Sequence, residues 1–370
     1  MLIGVPKEIK NHEYRVGMTP ESVAAAIAHG HQVMIETNAG IGIGATDEDY
    51  TDMGASISES AEAIFAKADM IVKVKEPQPI ERAMLREDQI LYTYLHLAPD
   101  PEQTADLIKS GAVCIAYETI TDAQGALPML KPMSQVAGRL SIQAGATALE
   151  KSHGGLGMLL GGVPGVAPAK VVIIGGGVVG FNAAQMAVGM QADVTILDMG
   201  AATIERLSNY FGASARVIQS NAGVLEAEVL AADVVIGAVL VTGAAAPKLV
   251  SRAMLSEMKD GAVLVDVAID QGGCFETSKA TTHAEPTYEI DGVVHYCVAN
   301  MPGAVPRTST YALNNATLGG LLAIADKGWQ QALRDDKHLQ NGLNVCQGKV
   351  TYQAVADQLG YEFTAVEKML

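Results

Sequence analysis

Four charged or titratable side chains stand where an α/β protein does chemistry. Lys75 closes the run ADMIVKVK, His96 closes QILYTYLH, and Asp270 closes GAVLVDVAID. Each is expected at the C-terminal end of a strand, the edge of an open parallel sheet where ligands gather. An imidazole there is a candidate acid/base, because it titrates near neutral pH. Arg15, in NHEYRVGMTPESV, lies in a loop entering a helix and could hold a small carboxylate through two parallel hydrogen bonds. Taken singly, each residue has a plainer reading. His96 could be a satisfied core histidine beside an apolar run, and Lys75 a solvated lysine sharing a face with Lys73. Asp270 could form a turn ahead of Gly272 and Gly273, and Arg15 a surface ion pair with Glu8 or Glu13. What favours chemistry is the set as a whole, placed around a second motif.

That motif is VVIIGGGVVGFNAAQMAVGM, with Gly175-x-Gly177-x-x-Gly180 directly after an apolar strand and before an apolar helix. Gly175 permits the tight turn, Gly177 lets backbone approach a pyrophosphate, and Gly180 lets helix meet strand. The helix N-terminus then offers N–H groups to the anion. The next apolar run, VTILD, ends in Asp198, 18 residues past Gly180. A carboxylate there accepts from ribose hydroxyls and repels a 2′-phosphate, and Met199 and Gly200 offer that phosphate no compensating charge. The cofactor expected is NAD rather than NADP.

Short Val/Ile-rich runs alternate with helical stretches along most of the chain, which predicts mostly parallel sheets covered on both faces. The first series is MLIGV, HQVMIET, ADMIVKVK, QILYTYLH and GAVCIAY; helical PESVAAAIAHG and DPEQTADLIKSG lie between them. A second series of six runs, from KVVIIG to VHYCVAN, matches a dinucleotide-binding sheet. The stretch between them predicts one linking helix over 134–151, with small residues Ala137, Ser141, Ala144 and Ala148 at three- and four-residue intervals. That stripe fits equally a helix packed on its own domain or a contact between subunits. After residue 305 the chain turns helical again. The expected organisation is therefore an α/β protein of two Rossmann-like, doubly wound domains joined by long helices around a cleft. Residues 1–133 with 305–370 form a discontinuous substrate domain, and 134–304 the NAD-binding domain.

The bulk numbers narrow the class. A chain of 370 residues suits two cores. Its formal charge of −16 disfavours a nucleic-acid partner. No run approaches the about 20 apolar residues of a membrane span, and the N-terminus lacks the apolar core of a signal peptide. A cytoplasmic protein is expected. Cys114, Cys274, Cys297 and Cys346 are scattered and read as buried, reduced thiols.

GVPKEIKNHEYRVGMTPESV at residues 4–23 resembles the N-terminal pattern shared by alanine dehydrogenases and the soluble subunit of nicotinamide nucleotide transhydrogenases. VKVKEPQ, YLHLAPD, IGGGVVG, VDVAIDQGGCFETS and VANMPGAVPRTST extend the likeness over essentially the whole length, and the chain is identified as a member of the L-alanine dehydrogenase family. The resemblance implies reversible, NAD-dependent oxidative deamination of L-alanine to pyruvate and ammonia. Arg15 and Lys75 would bind the substrate carboxylate and its carbonyl or imine oxygen. His96 would be the acid/base, and Asp270 would orient the amine or the attacking water. Tyr94, Met133 and Met301 would crowd the substrate methyl. Around the cofactor it implies Ser134, Val178, Val179, Asp198, Ser220, Val239, Leu240, Lys279, Val267, Ala268, Ile269 and Asp270, and Val298, Ala299, Asn300 and Met301. Two departures concern the adenosine end: Thr203 stands where relatives often carry a basic residue, and Lys279 where an arginine is common. Some relatives hold a divalent ion through a Glu and a His in the C-terminal helix; the matching turn here runs from Ala323 to Lys327, so no metal is expected there. Family analogy also implies a homo-oligomer, a hexamer. The alternatives are a transhydrogenase subunit, a non-catalytic NAD-binding interaction protein, and a saccharopine-type amino-acid dehydrogenase.

Overall fold

The apolar runs become strands of two to six residues, most of them buried on both faces, as parallel strands under helices must be. The computed structural model describes residues 1–239 and 246–370. The chain divides into two compact units, one of Met1–Met133 and Val305–Leu370, the other of Ser134–Ala304.

The first unit opens with β1 (Leu2–Val5), β2 (Gln32–Glu36), β3 (Ser56–Ser58), β4 (Met70–Val72), β5 (Ile90–Thr93) and β6 (Val113–Ala116). They are all parallel and lie in the order β3-β2-β1-β4-β5-β6. The order reverses between β1 and β4, so the loops leaving those two strands flank a switch point. The expected helices form at Pro20–Ala28 and Pro101–Ser110. Each has proline in its first turn, and Thr19 and Asp100 cap them through their side chains.

The second unit contains β7 (Lys170–Ile174), β8 (Asp193–Asp198), β9 (Arg216–Gln219), β10 (Val234–Gly237), β11 (Val263–Asp266), β12 (Thr287–Ile290) and β13 (Val293–Tyr296). Six of them run parallel in the order β9-β8-β7-β10-β11-β13, and β12 adds an antiparallel edge. The switch point falls between β7 and β10. The linking helix runs Lys131–Ala148 rather than 134–151, and Lys151–His153 form a separate 3-10 turn. At Gly138 it comes close to the second unit's cofactor helix, and a Cβ there would lie 2.3 Å from the Val179 carbonyl oxygen. Ala137, Ser141 and Ala148 are buried. The small-residue face therefore packs within its own unit, against the start of the helix Val178–Gly189.

The chain then returns to the first unit through the helix Pro306–Lys327 and adds β14 (Leu343–Cys346), antiparallel to β6, and β15 (Lys349–Val350). Strands β3, β12, β14 and β15 were not expected from the apolar runs; they are short or carry polar residues. The strand-end positions also shift. β4 stops at Val72, β5 at Thr93 and β11 at Asp266, so Lys75, His96 and Asp270 all lie in the loops beyond.

Candidate functional site

Arg15 is 2% exposed and is not a surface residue. Its Nε and Nη2 donate to the two oxygens of Glu13 at 2.6 and 2.5 Å, and Nη1 donates to Met133 Sδ at 3.1 Å. Burial alone would weaken the guanidinium's hold on its proton, but Glu13 outweighs it and keeps the pKa above the ordinary arginine value. The loop is pinned by the helix Pro306–Lys327: Thr310 Oγ1 accepts from Val16 N–H at 3.4 Å, and Asn314 bonds both Thr19 N–H and the Gly17 carbonyl. A Cβ at Gly17 would lie 2.4 Å from the Val72 carbonyl oxygen, so this loop can lie against the end of β4 only with glycine there. Asn314 and Thr310 gave no sign of this role in the sequence.

Beyond β4 and β5 the two chains stay paired. Lys73 N–H donates to the Tyr92 carbonyl at 3.2 Å and Tyr94 N–H to the Val74 carbonyl at 3.3 Å, while Thr93 Oγ1 donates to the Lys75 carbonyl at 3.0 Å. Lys75 and Tyr94 are thus set on neighbouring loops. Glu8, buried on the loop after β1, accepts from Val74 N–H at 2.7 Å and Lys75 N–H at 3.3 Å. Its other oxygen meets the Lys73 ammonium at 2.9 Å. Lys73 is fully buried between Glu8 and Glu81 and is not the solvated neighbour its position suggested. Burial pushes the Glu8 carboxyl up, and Lys73 only partly offsets this.

His96 is neither buried nor in a regular strand. Its imidazole is 46% exposed, so it can exchange protons with a ligand or water. Its φ of 52° is left-handed, a conformation that costs a non-glycine residue about 1–2 kcal/mol. Glu118 accepts from His96 N–H at 2.5 Å and from Leu95 N–H at 3.2 Å, and its Oε1 lies 3.9 Å from His96 Nδ1. The Tyr94 and His96 rings stack at 5.8 Å and 7°. Tyr94 donates its hydroxyl to the Met129 carbonyl at 2.6 Å, and burial pushes its phenol far above the ordinary range, so it stays neutral. Arg15, Lys75, Tyr94, His96 and Met133 all belong to the first unit, on loops at one edge of its sheet or, for Met133, in contact with Arg15.

In the second unit the turn after β7 has the form the glycines predict. Gly175 has φ 100°, and a Cβ at Gly180 would fall 1.8 Å from the Gly175 carbonyl oxygen. At Gly177 a Cβ would meet nothing within 4 Å: there the backbone faces open space rather than protein. Gly177 caps the helix Val178–Gly189 without a side-chain hydrogen bond, which leaves Val178, Val179 and their neighbours in the first turn to offer N–H groups to an anion. These features fit a dinucleotide pyrophosphate. Asp198 ends β8 and accepts from Gly176 N–H and Gly200 N–H, both at 2.7 Å. Each of its oxygens keeps a further lone pair for a ribose hydroxyl. Ser220 N–H donates to the Asp198 carbonyl at 2.8 Å, and Val239 flanks Gly175. Arg206, which the sequence reading did not single out, donates to the Gly176 carbonyl at 3.0 Å and lies over the Phe181 ring. Leu240 lies outside the described residues.

Asp270 is exposed in the 3-10 turn Ile269–Gln271 and follows Val267 and Ala268 out of β11. It is Asp266, not Asp270, that shapes this loop: fully buried, it accepts from Ala268 N–H at 3.1 Å, Cys274 N–H at 2.8 Å and the Ser278 hydroxyl. Lys279 is exposed, and its N–H donates to Tyr288 Oη at 2.7 Å. Val298 and Ala299 follow β13, and Ala299 N–H bonds the Thr281 carbonyl. Asn300 adopts φ 62° and its carbonyl pairs with His283 Nε2 at 3.1 Å. Met301 is buried at the start of the turn Met301–Ala304, and Ser134 lies in the helix Lys131–Ala148.

Two family models match the chain: the N-terminal domain of alanine dehydrogenase/PNT over residues 4–137 and the C-terminal domain over residues 141–353. An alanine dehydrogenase of Halomonas elongata is 57% identical over 370 residues, covering 100% of both chains. A solved L-alanine dehydrogenase superposes with a TM-score of 0.95 at 51% identity, covering 97% of this chain and 99% of that one. A transhydrogenase structure from Sinorhizobium meliloti is more distant, with a TM-score of 0.84 at 24% identity over 95% of this chain and 100% of its own, and it bears on the fold alone.

Proposed function

The chain belongs to the alanine dehydrogenase/PNT family, and from that premise we propose that it oxidatively deaminates L-alanine with NAD and water to give pyruvate, NADH, ammonium and a proton, reversibly. The observation that carries the reading is the set Arg15, Lys75 and His96 on the loops of the first sheet's C-terminal edge, each anchored by a carboxylate from another stretch of chain or, for Arg15, from its own loop. A bare dinucleotide-binding protein has no use for such a set.

Arg15, held by Glu13 at Nε and Nη2 and by Met133 at Nη1, presents a fixed guanidinium to the substrate carboxylate. Its contribution is orientation. Lys75 places an ammonium beside the oxygen that develops on the substrate carbon, an electrostatic effect often worth about 3–4 kcal/mol per donor. His96 takes the proton of the attacking water and returns one in the reverse reaction, a role open to an imidazole with access to solvent. Asp270 orients the amine and the water. Tyr94, Met133 and Met301 crowd the methyl group, so larger side chains are disfavoured by about 1–3 kcal/mol per methylene. A nicotinamide dinucleotide held by the Gly175–Gly180 turn and Asp198 would supply the hydride acceptor for alanine oxidation and the hydride donor for reductive amination.

The cofactor loop supports a nicotinamide dinucleotide, with Gly175, Gly177, Gly180 and the first turn of the following helix at the pyrophosphate. Asp198 favours NAD over NADP, since a 2′-phosphate would meet its charge. The same reading places the protein in the cytoplasm as a homohexamer. Among the described residues no helix is long and apolar enough to cross a membrane.

The test is spectrophotometric: NADH formation with L-alanine, D-alanine, 2-aminobutyrate and serine, repeated with NADP, and ammonium-dependent NADH oxidation with pyruvate. L-Alanine should be the best substrate and NAD the better cofactor. NADH oxidation with pyruvate that ignores ammonium would overturn the reading, and light scattering of the purified protein checks the hexamer.

A further inference from the structure

We propose that Glu118 is the positioning residue for the His96 imidazole, holding it through the backbone rather than through the ring. The inference rests on the reading of His96 as the acid/base. His96 is a non-glycine residue at φ 52°, and such a conformation persists only where its surroundings over-determine it. Here the constraint can be named. Glu118, 13% exposed at its side chain, takes two successive backbone N–H groups: His96 at 2.5 Å, and Leu95 at 3.2 Å from each oxygen. Successive N–H groups on a turn of this hand form a concavity for an anion, and the carboxylate fills it. Gln103 Nε2 fixes the other side of the same peptide unit by donating to the Leu95 carbonyl at 2.6 Å, and Thr104 Oγ1 donates to the Leu97 carbonyl at 3.1 Å.

The direct approach of Glu118 Oε1 to His96 Nδ1, 3.9 Å, is too long for a hydrogen bond. Control therefore passes through the turn, which sets the ring parallel to Tyr94, itself tied to the Met129 carbonyl at 2.6 Å. Without the anion the turn loses its reason to stay left-handed, and the imidazole moves off its wall. A displacement of about 1 Å at a reacting group can cost about 100-fold in rate.

Glu118→Ala should lower kcat by about 10- to 100-fold, with KM for L-alanine and NADH affinity within about 3-fold of the parent. Glu118→Gln, whose amide oxygen can still accept from His96 N–H, should recover part of that loss. A residue acting through His96 loses its effect once His96 is gone, so in a His96→Ala background Glu118→Ala should change single-turnover rates by less than about 3-fold. Equal losses in both backgrounds, or a parental kcat in Glu118→Ala, would overturn the proposal. A far-UV circular dichroism spectrum and a urea transition of parental slope confirm that each variant is folded throughout, and if Glu118→Ala fails there, Glu118→Gln in the two backgrounds decides. Parental turnover in His96→Ala alone would instead sink the acid/base reading, so the two failures are distinct.

Discussion

Lys73 has no exposed surface, and its ammonium bridges Glu8 and Glu81 at 2.9 and 2.8 Å. Burial opposes the charge, but the two carboxylates prevail and hold its pKa above the ordinary lysine value. Lys73→Met removes the cation and leaves two buried carboxylates facing each other. We expect a loss of about 3–5 kcal/mol, read as a lower urea midpoint at unchanged slope. Glu76 gives a pH-dependent counterpart. Burial pushes its carboxyl up, yet Lys75 and Lys10 together hold it below 4.5. A group depressed in the folded state supplies stability above its unfolded value and surrenders it as the pH falls through the folded value. The urea midpoint of the parent should therefore drop more steeply below pH 4.5 than that of Glu76→Gln; parallel curves would show that Glu76 contributes nothing. None of this buried charge was legible in the sequence, because lysine and glutamate are solvated by default and only tertiary pairing reverses that. His96, Lys75 and Arg15 were legible as a set through their places beside apolar runs and their family pattern. Glu118 was not, since it acts on amides 22 and 23 residues away, and no spacing rule announces such a contact.

Among elements, the strand–turn–helix from β7 was the easiest to read, because local sterics dictate it. It also separates two roles for neighbouring glycines. Gly180 faces the Gly175 carbonyl oxygen, 1.8 Å from where a Cβ would sit, so Gly180→Ala should destabilise the unit itself and lower the thermal midpoint. At Gly177 a Cβ meets no protein atom within 4 Å, so Gly177→Ala should keep the parental midpoint and still weaken NADH binding by 10-fold or more, on the order of one lost close approach to phosphate. Similar effects from both substitutions would contradict this division. The helix Pro306–Lys327 was legible as a helix but not as a clamp. Asn314 satisfies the Gly17 carbonyl and Thr19 N–H across nearly the whole chain length, and both its partners are backbone groups without a side-chain signal. Asn314→Ala leaves those groups unpaired at about 1–3 kcal/mol, and by loosening the Arg15 loop it should raise KM for L-alanine more than it lowers kcat. Strands β12 and β15 escaped the sequence reading for a different reason. Antiparallel edge strands carry mixed, half-exposed residues such as TYEI, and their identity comes from the partner they join.

At the scale of the whole molecule, the same strand order, 3-2-1-4-5-6, is built twice, yet the two copies depend on the rest of the chain to different degrees. The second unit is continuous from Ser134 to Ala304, and its core is drawn from its own strands and helices, with Val172, Leu197, Val235, Leu264 and Phe275 among the buried members. The first unit is closed by residues that arrive last. β14 pairs with β6 and covers an edge whose residues Val113, Cys114, Ile115 and Ala116 are fully buried, and Val345, Val350 and Val355 join the same core as Leu91 and Leu107. A fragment of residues 131–304, keeping the helix Lys131–Ala148 whole, should therefore fold cooperatively and bind NADH within a few-fold, about 1 kcal/mol, of the full chain, with no turnover of L-alanine. Residues 1–133 alone should be insoluble, because they expose the apolar edge of β6 and lose the helix that pins the Arg15 loop. Adding residues 305–370 as a separate chain should restore soluble protein if strand pairing is what the first unit lacks. If circular dichroism shows 131–304 unfolded, the independence of the dinucleotide unit is wrong, and the two sheets fold as one cooperative body.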